Sequence, residues 1–292
     1  FETSSWFSLN SMIVLNGIAY TDLNSAPANN LQAIFQAANP FQESVRVEAS
    51  KIIFWEAHYF RMMASMRILR MGIPMTYTME YLEEQVLLLL NANDLLEKAA
   101  QIHFSFFSTA SITRSHPIIP SSFLLHAEAC DTILGVQTSD RSIDLYKDHW
   151  VVKGLYGNLE QSNDRLRKLA SVYAFENDFE DCVLLNEDKQ ITETIRGAIF
   201  VVKGDQIKTP PLTSGCRSSV YRQVVIDLLV KQETVELVED VVSPFELQKA
   251  DELFVVSLSH GIQSVKQYRK KVFVSTTAEQ VFSKFITGYR LS

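Results

Sequence analysis

The sequence predicts an α+β protein built of two domains. Three observations point there. Strand-like and helical runs are mixed without the strict strand–helix alternation of a doubly wound sheet. The 292 residues suffice for two medium domains, each with a core of its own. The character of the chain also changes between Ala129 and Ser142. That places a first domain at 12–128, a linker at 129–142 and a larger domain at 143–292.

In the first half, Met12 to Leu15 reads as a strand ending at an Asn16-Gly17 turn. Ser44 to Val47 and Lys51 to Trp55 read as two strands joined by a polar turn. Glu56 to Met71 carries apolar residues at helical spacing, and Pro74 ends it. A helix is expected from Thr78 to Asn91, with Glu80, Glu83 and Glu84 near its positive end. Ile102 to Phe107 and Ser122 to Ala127 are further strands, and Ser108 to Pro120 a surface loop.

The second half predicts helices at Gln161 to Asn177 and Ser219 to Lys231, with strands at Cys182 to Leu185 and Ala198 to Val202. Ser243-Pro244-Phe245-Glu246 is a capping box with proline at the first helical position. Strands follow at Leu253 to Leu258 and Gln263 to Val265. Thr276-Thr277-Ala278-Glu279 reads as a second capping box opening the last helix.

Composition limits the partners. A net charge of −7 speaks against nucleic acid, which needs clustered cations. The dense basic run Lys266 to Lys271 is short and reads as a solvated face. No apolar run reaches membrane-spanning length, so no membrane is expected as a partner. Cys130, Cys182 and Cys216 form no CxxC or other metal spacing and fit a reducing cytoplasm. Phe1 to Ser11 lacks the pattern of a signal peptide, and Met12 is a plausible start. The six histidines show no HxxxH or His/Cys pairing, so no metal is expected.

One run stands out. Ile191-Thr192-Glu193-Thr194-Ile195-Arg196-Gly197-Ala198-Ile199-Phe200 is followed by Lys208-Thr209-Pro210-Pro211-Leu212 and by Gly215 through Arg222. It resembles the signature of the class IV aminotransferases, the fold type IV pyridoxal phosphate enzymes that include branched-chain and D-amino acid aminotransferases and 4-amino-4-deoxychorismate lyase. Glu56-Ala57-His58-Tyr59-Phe60-Arg61, Asp181 to Asn186 and Ala250 to Phe254 resemble further family segments. The resemblance runs from about Met12 to the C-terminus and implies the two-domain α+β fold of that family. It also implies that Glu193 faces the cofactor ring nitrogen. Arg61 and the helix start at Ser218, Ser219 and Val220 would face its phosphate. A homodimer is implied as well, since relatives build the site near a subunit interface.

The resemblance also puts Glu160, within Leu159-Glu160-Gln161-Ser162-Asn163, at the family's Schiff-base lysine. A lysine amine must form the aldimine and then act as base, and a carboxylate can do neither. Other positions depart too: Ala37 to Glu43 replaces a Tyr-Gly-Asp-x-x-Phe-Glu segment, and Ser219 stands where relatives have glycine. Ala198 replaces an asparagine, Val256-Ser257 a Thr-Asn pair, and Ser108-Thr109-Ala110-Ser111 an Arg and Gly-Gly loop. The expectation is a degenerate homologue without pyridoxal phosphate as cofactor. It would act as a binding or partner subunit and take a small anionic ligand through Arg61 and Arg222. The alternative is an active aminotransferase or lyase with a relocated lysine, Lys153 or Lys168.

Overall fold

The computed structural model describes residues 11–27, 41–108, 121–133, 135–139 and 142–291. The expected Ser108 to Pro120 loop and the Ala37 to Pro40 stretch therefore lie, apart from the backbone of Ser108, outside the described residues. The chain divides into two compact units, 1–132 and 133–291.

Among the described residues the first unit holds six strands: β1 (Ile13–Leu15), β2 (Ile18–Tyr20), β3 (Phe41–Glu48), β4 (Lys51–Ile52), β5 (Ala99–Ser108) and β6 (Ser121–Ala129). They form one sheet in the order β2-β1-β6-β5-β3-β4, with every pair antiparallel. Asn16 and Gly17 both take positive φ, the conformation a tight hairpin needs. Helices α1 (Trp55–Ile68) and α2 (Met79–Ala92) cover one face of the sheet. Met62, Met66, Val86 and Leu89 pack there against Val45, Ile102, Phe104 and Leu125. The strand expected at Lys51 to Trp55 stops at Ile52, because Phe54 turns left-handed (φ 53) and α1 starts at Trp55. Thr78 caps α2 by accepting a hydrogen bond from the Tyr81 N–H.

Among the described residues the second unit has two sheets. The first is ordered β10-β9-β8-β16-β17, from β8 (Ser142–Leu145), β9 (Asp181–Leu185), β10 (Ile191–Thr194), β16 (Gln267–Tyr268) and β17 (Lys271–Val272). The other runs β13-β12-β11-β14-β15-β7. It contains β7 (Gln137–Thr138), β11 (Ala198–Lys203), β12 (Gln206–Thr209), β13 (Glu236–Glu239), β14 (Glu252–Ser257) and β15 (Gly261–Ser264). The stretch 129–142, read from sequence as a linker, thus contains β7, which pairs in parallel with β15. Ile143, Val183, Ile199, Val201, Leu253 and Val255 share one apolar core.

Helices α3 (Asp164–Glu176), α4 (Val220–Val230), α5 (Pro244–Lys249) and α6 (Thr276–Leu291) complete the unit. The capping box at Ser243 is present, with Glu246 accepting from the Ser243 N–H. The box expected at Thr276 is not what caps α6. The Glu252 carboxylate on β14 accepts from the N–H groups of Thr277 and Ala278, at 2.8 and 2.6 Å. A buried anion brought by the sheet replaces a local cap, at the end of the helix where the dipole favours it.

Candidate functional site

In the second unit Glu193 sits on β10 with 1% of its surface exposed. Neither carboxylate oxygen is left to solvent. Oε1 accepts from Arg167 Nε and Nη2, at 2.9 and 2.8 Å. Oε2 accepts from the Arg217 backbone N–H and from Arg217 Nε, at 3.0 and 2.9 Å. Burial pushes the Glu193 carboxyl up, but the two guanidinium groups outweigh it and hold it below its ordinary range.

Local structure explains the convergence. Arg167 lies on the buried side of α3, which it shares with Ala170 and Ala174. Arg217 arrives by a turn: Pro210 and Pro211 end β12, a single 3-10 turn follows at Leu212–Ser214, and Gly215 closes it. Gly215 has φ +99, and a Cβ there would lie 2.8 Å from the Val152 carbonyl oxygen. A side chain is therefore excluded on two counts. Asn158 Nδ2 holds the returning strand by donating to the carbonyls of Leu212 and Cys216.

Glu160 joins the same array. Its Oε1 accepts from Arg217 Nη1 at 3.0 Å, and its backbone carbonyl accepts from Arg167 Nη1 at 2.6 Å. Arg217 Nη2 donates to the Ile195 carbonyl at 3.0 Å. Burial disfavours the Arg217 charge, but Glu193 and Glu160 more than restore it, so its pKa moves upward. The result is a closed chain, Arg167–Glu193–Arg217–Glu160. Its two positive and two negative groups cancel.

The other expected site residues are placed as follows. Ser219 caps α4 and accepts from the Arg222 N–H at 3.5 Å, Val220 is buried, and the Ser218 N–H donates to the Asn158 carbonyl. Arg222 is 2% exposed and donates to Glu239 and to the Pro210 carbonyl, at 2.7 and 2.8 Å. Asp181, beside β10, accepts from the N–H groups of Cys182 and Ile195, and burial raises its carboxyl to about 6. In the first unit Arg61 grips Glu43, with Nη2 2.7 Å from Oε2 and Nε 3.1 Å from Oε1. His58 Nδ1 lies 2.6 Å from the same carboxylate.

Sequence reasoning missed Arg167 and Arg217. Arg217 lies inside the quoted signature, between Gly215 and Ser218, and an arginine beside a buried glutamate was the available signal. Arg167 sits on a helix whose other charges face water, and periodicity alone did not set it apart.

The family profile of amino-transferase class IV matches residues 41–268. The chain belongs to the class IV aminotransferase family. A probable branched-chain-amino-acid aminotransferase of Aquifex aeolicus is 25% identical over 242 residues, covering 80% of this chain and 74% of that protein. The branched-chain aminotransferase of Thermoproteus uzoniensis, solved with norvaline, superposes with a TM-score of 0.81 at 19% identity, over 94% of this chain and 93% of that one. The branched-chain amino acid aminotransferase of Thermobaculum terrenum, in its PLP-form (holo-form), gives 0.79 at 18%, over 97% and 95%. The expected two-domain α+β fold of this family is what these matches show.

The comparisons correct one expectation. The family uses pyridoxal phosphate, and a matching structure is a holo-form, so a chain taking no cofactor is not what its relatives indicate. Position 160 offers a carboxylate already bonded to Arg217. Lys153 Nζ is held by Asp188 and Glu187, at 2.5 and 3.4 Å, and Lys168 Nζ by Asp164 on a largely exposed side chain. Among the described residues no helix is long and apolar enough to cross a membrane.

Proposed function

We propose that this chain is a class IV aminotransferase relative that has given up Schiff-base chemistry at position 160 and acts by binding a ligand or a partner. The observation that supports this reading is Arg217, whose guanidinium joins Glu160 to Glu193. A nucleophilic amine cannot be made from a carboxylate, and Glu193 has both oxygens committed to arginine. The proposal concerns the covalent step; pyridoxal phosphate remains the cofactor of the family.

The reading includes a homodimer, which sedimentation of the purified chain tests, with a monomer as the contrary result. It also includes a small anionic ligand. Arg61 and Arg222 each carry a carboxylate partner already, Glu43 and Glu239, so an anion must exchange with one of them. Calorimetric titration with a phosphate ester is expected to give heat that falls with added salt; no heat rejects the ligand.

The deciding experiment is absorbance of protein incubated with pyridoxal phosphate, before and after borohydride, followed by peptide mass spectrometry. No lysine is expected to carry reduced cofactor. A stoichiometric adduct at Lys153 or Lys168 overturns the proposal and restores an aminotransferase or lyase with a relocated lysine.

A further inference from the structure

The first unit carries a second cluster that the class IV site does not use. Across three neighbouring strands, Ser44 on β3 pairs in register with His103 on β5, and His103 with His126 on β6. Glu128 lies two residues further along β6, on the same face, since side chains alternate along a strand. Their neighbours Val45, Ile102, Leu125 and Ala127 point the other way, into the helix-covered core. The two imidazole rings are stacked, 4.6 Å between centroids and 17° apart.

The distances leave a gap of a particular size. His103 Nε2 lies 3.9 Å from Glu128 Oε2, and His126 Nε2 lies 4.0 Å from Glu128 Oε1. Neither is a hydrogen bond. One ligand atom from each of the three residues lies within 4.8 Å of the others, a grouping met once among the described residues. Two donors bound tetrahedrally to one zinc ion sit roughly 3.3 Å apart, from metal–ligand distances near 2.0–2.1 Å. Closing the two gaps to Glu128 takes a movement of roughly 0.6–0.7 Å by its side chain, which is 34% exposed; the nearly parallel imidazoles must also turn about their side-chain torsions for both in-plane lone pairs to meet at one ion. Burial keeps both imidazoles neutral, the form that binds metal, with His103 near 4 and His126 near 3.

Ser44 decides the orientation. Its Oγ is 2.8 Å from His103 Nδ1. With Nδ1–H donating to that oxygen, the lone pair of Nε2 faces the carboxylate, and Nε2 has no hydrogen-bond partner. A hydrogen bond on one ring nitrogen fixes the tautomer and aims the other, as in most histidine metal ligands. Two electron-rich groups turned toward each other across this gap are reconciled by a cation.

We infer that His103, His126 and Glu128 form a binding site for a first-row divalent metal ion of the zinc class, with Ser44 orienting His103. Two imidazoles and one carboxylate suit Zn2+ and not the hard cations Ca2+ and Mg2+, which take oxygen ligands. Three protein ligands leave a position for water. The spacing His103…His126-x-Glu128 is not a recognised sequence pattern, because strand pairing rather than chain proximity assembles it.

The test is calorimetric titration of chelator-treated full-length protein with Zn2+, with Co2+ and its visible absorption as a second probe. One equivalent is expected to bind, and the Co2+ band is expected to intensify as in a low-coordinate site. His103→Gln with His126→Gln is expected to abolish binding. Glu128→Gln, at a half-exposed position that leaves the fold intact, is expected to weaken it tenfold or more. Unchanged affinity in Glu128→Gln, or no binding by the unaltered protein, overturns the proposal. Cys130 is a nearby free thiol, so Cys130→Ser must keep full affinity; binding that disappears with it also overturns the site.

Discussion

Glu43 in the first unit and Glu193 in the second are both buried carboxylates paired with arginine, yet they are built differently. Glu43 takes its partners, His58 and Arg61, from one face of one helix, one turn apart. Glu193 takes Arg167 from a helix before it and Arg217 from a turn after it, 26 and 24 residues away. Both clusters reach water at one end, through Arg61 at 16% exposure in the first and through Arg217 and Glu160 at 14% and 31% in the second. The difference lies in the count of cations: Glu43 answers one guanidinium, Glu193 answers two, and the second of these, Arg167, is only 6% exposed. Loss of Glu193 therefore strands more buried charge than loss of Glu43.

That contrast predicts the largest effect. Glu193→Gln leaves two buried guanidinium groups without their anion and is expected to cost about 3–5 kcal/mol, the range for breaking a buried pair. Urea unfolding of the isolated variant measures it. Glu43→Gln is expected to cost less, about 1.5–3 kcal/mol, since Arg61 can turn to water. Equal losses would break the comparison and show that the second guanidinium strands no extra charge.

The sequence exposes the two clusters unequally for the same reason. His58 and Arg61 were named by resemblance, on a stretch whose apolar spacing already read as helix, and i, i+3 spacing puts them side by side there. Strands such as β5 and β6 were legible from apolar alternation, but β7, β8, β12, β13, β16 and β17 went unread. All six are two to four residues long, too short for any period to show. Arg167, Arg217 and the Glu252 cap of α6 depend on chain reversals that only tertiary packing fixes. Glu160 and Glu193 were named by resemblance, and the place of Arg217 inside the same signature was the one hint of the arginine between them.

Asp181 sharpens the comparison, because it is buried like Glu193 but has no guanidinium bonded to it. Its carboxyl rises to about 6 in the folded chain, against an ordinary 3.8. The folded state then binds more protons between these values, so Asp181 costs stability above pH 6 and that cost disappears as pH falls toward 4. Asp181→Asn keeps an oxygen acceptor for the Cys182 and Ile195 N–H groups and removes the titration. Relative to this variant, the unaltered protein is expected to gain on the order of 2 kcal/mol between pH 7 and pH 4. A constant difference across that range would mean that Asp181 is as well compensated as Glu193.

Glu160 gives the smallest effect and separates closure from stability. Its side chain is 31% exposed, and its bond to Arg217 is one of several that Arg217 makes. Exposed ion pairs contribute little, so Glu160→Gln is expected to cost under about 1 kcal/mol. The amide oxygen can still accept from Arg217, and the backbone carbonyl still holds Arg167. A loss nearer that of Glu193→Gln, read from the same urea midpoints, would make Glu160 a full member of the buried network. Position 160 would then be one where the chain has replaced a chemical role with a structural one, and not merely a lid over an ion pair that stands without it.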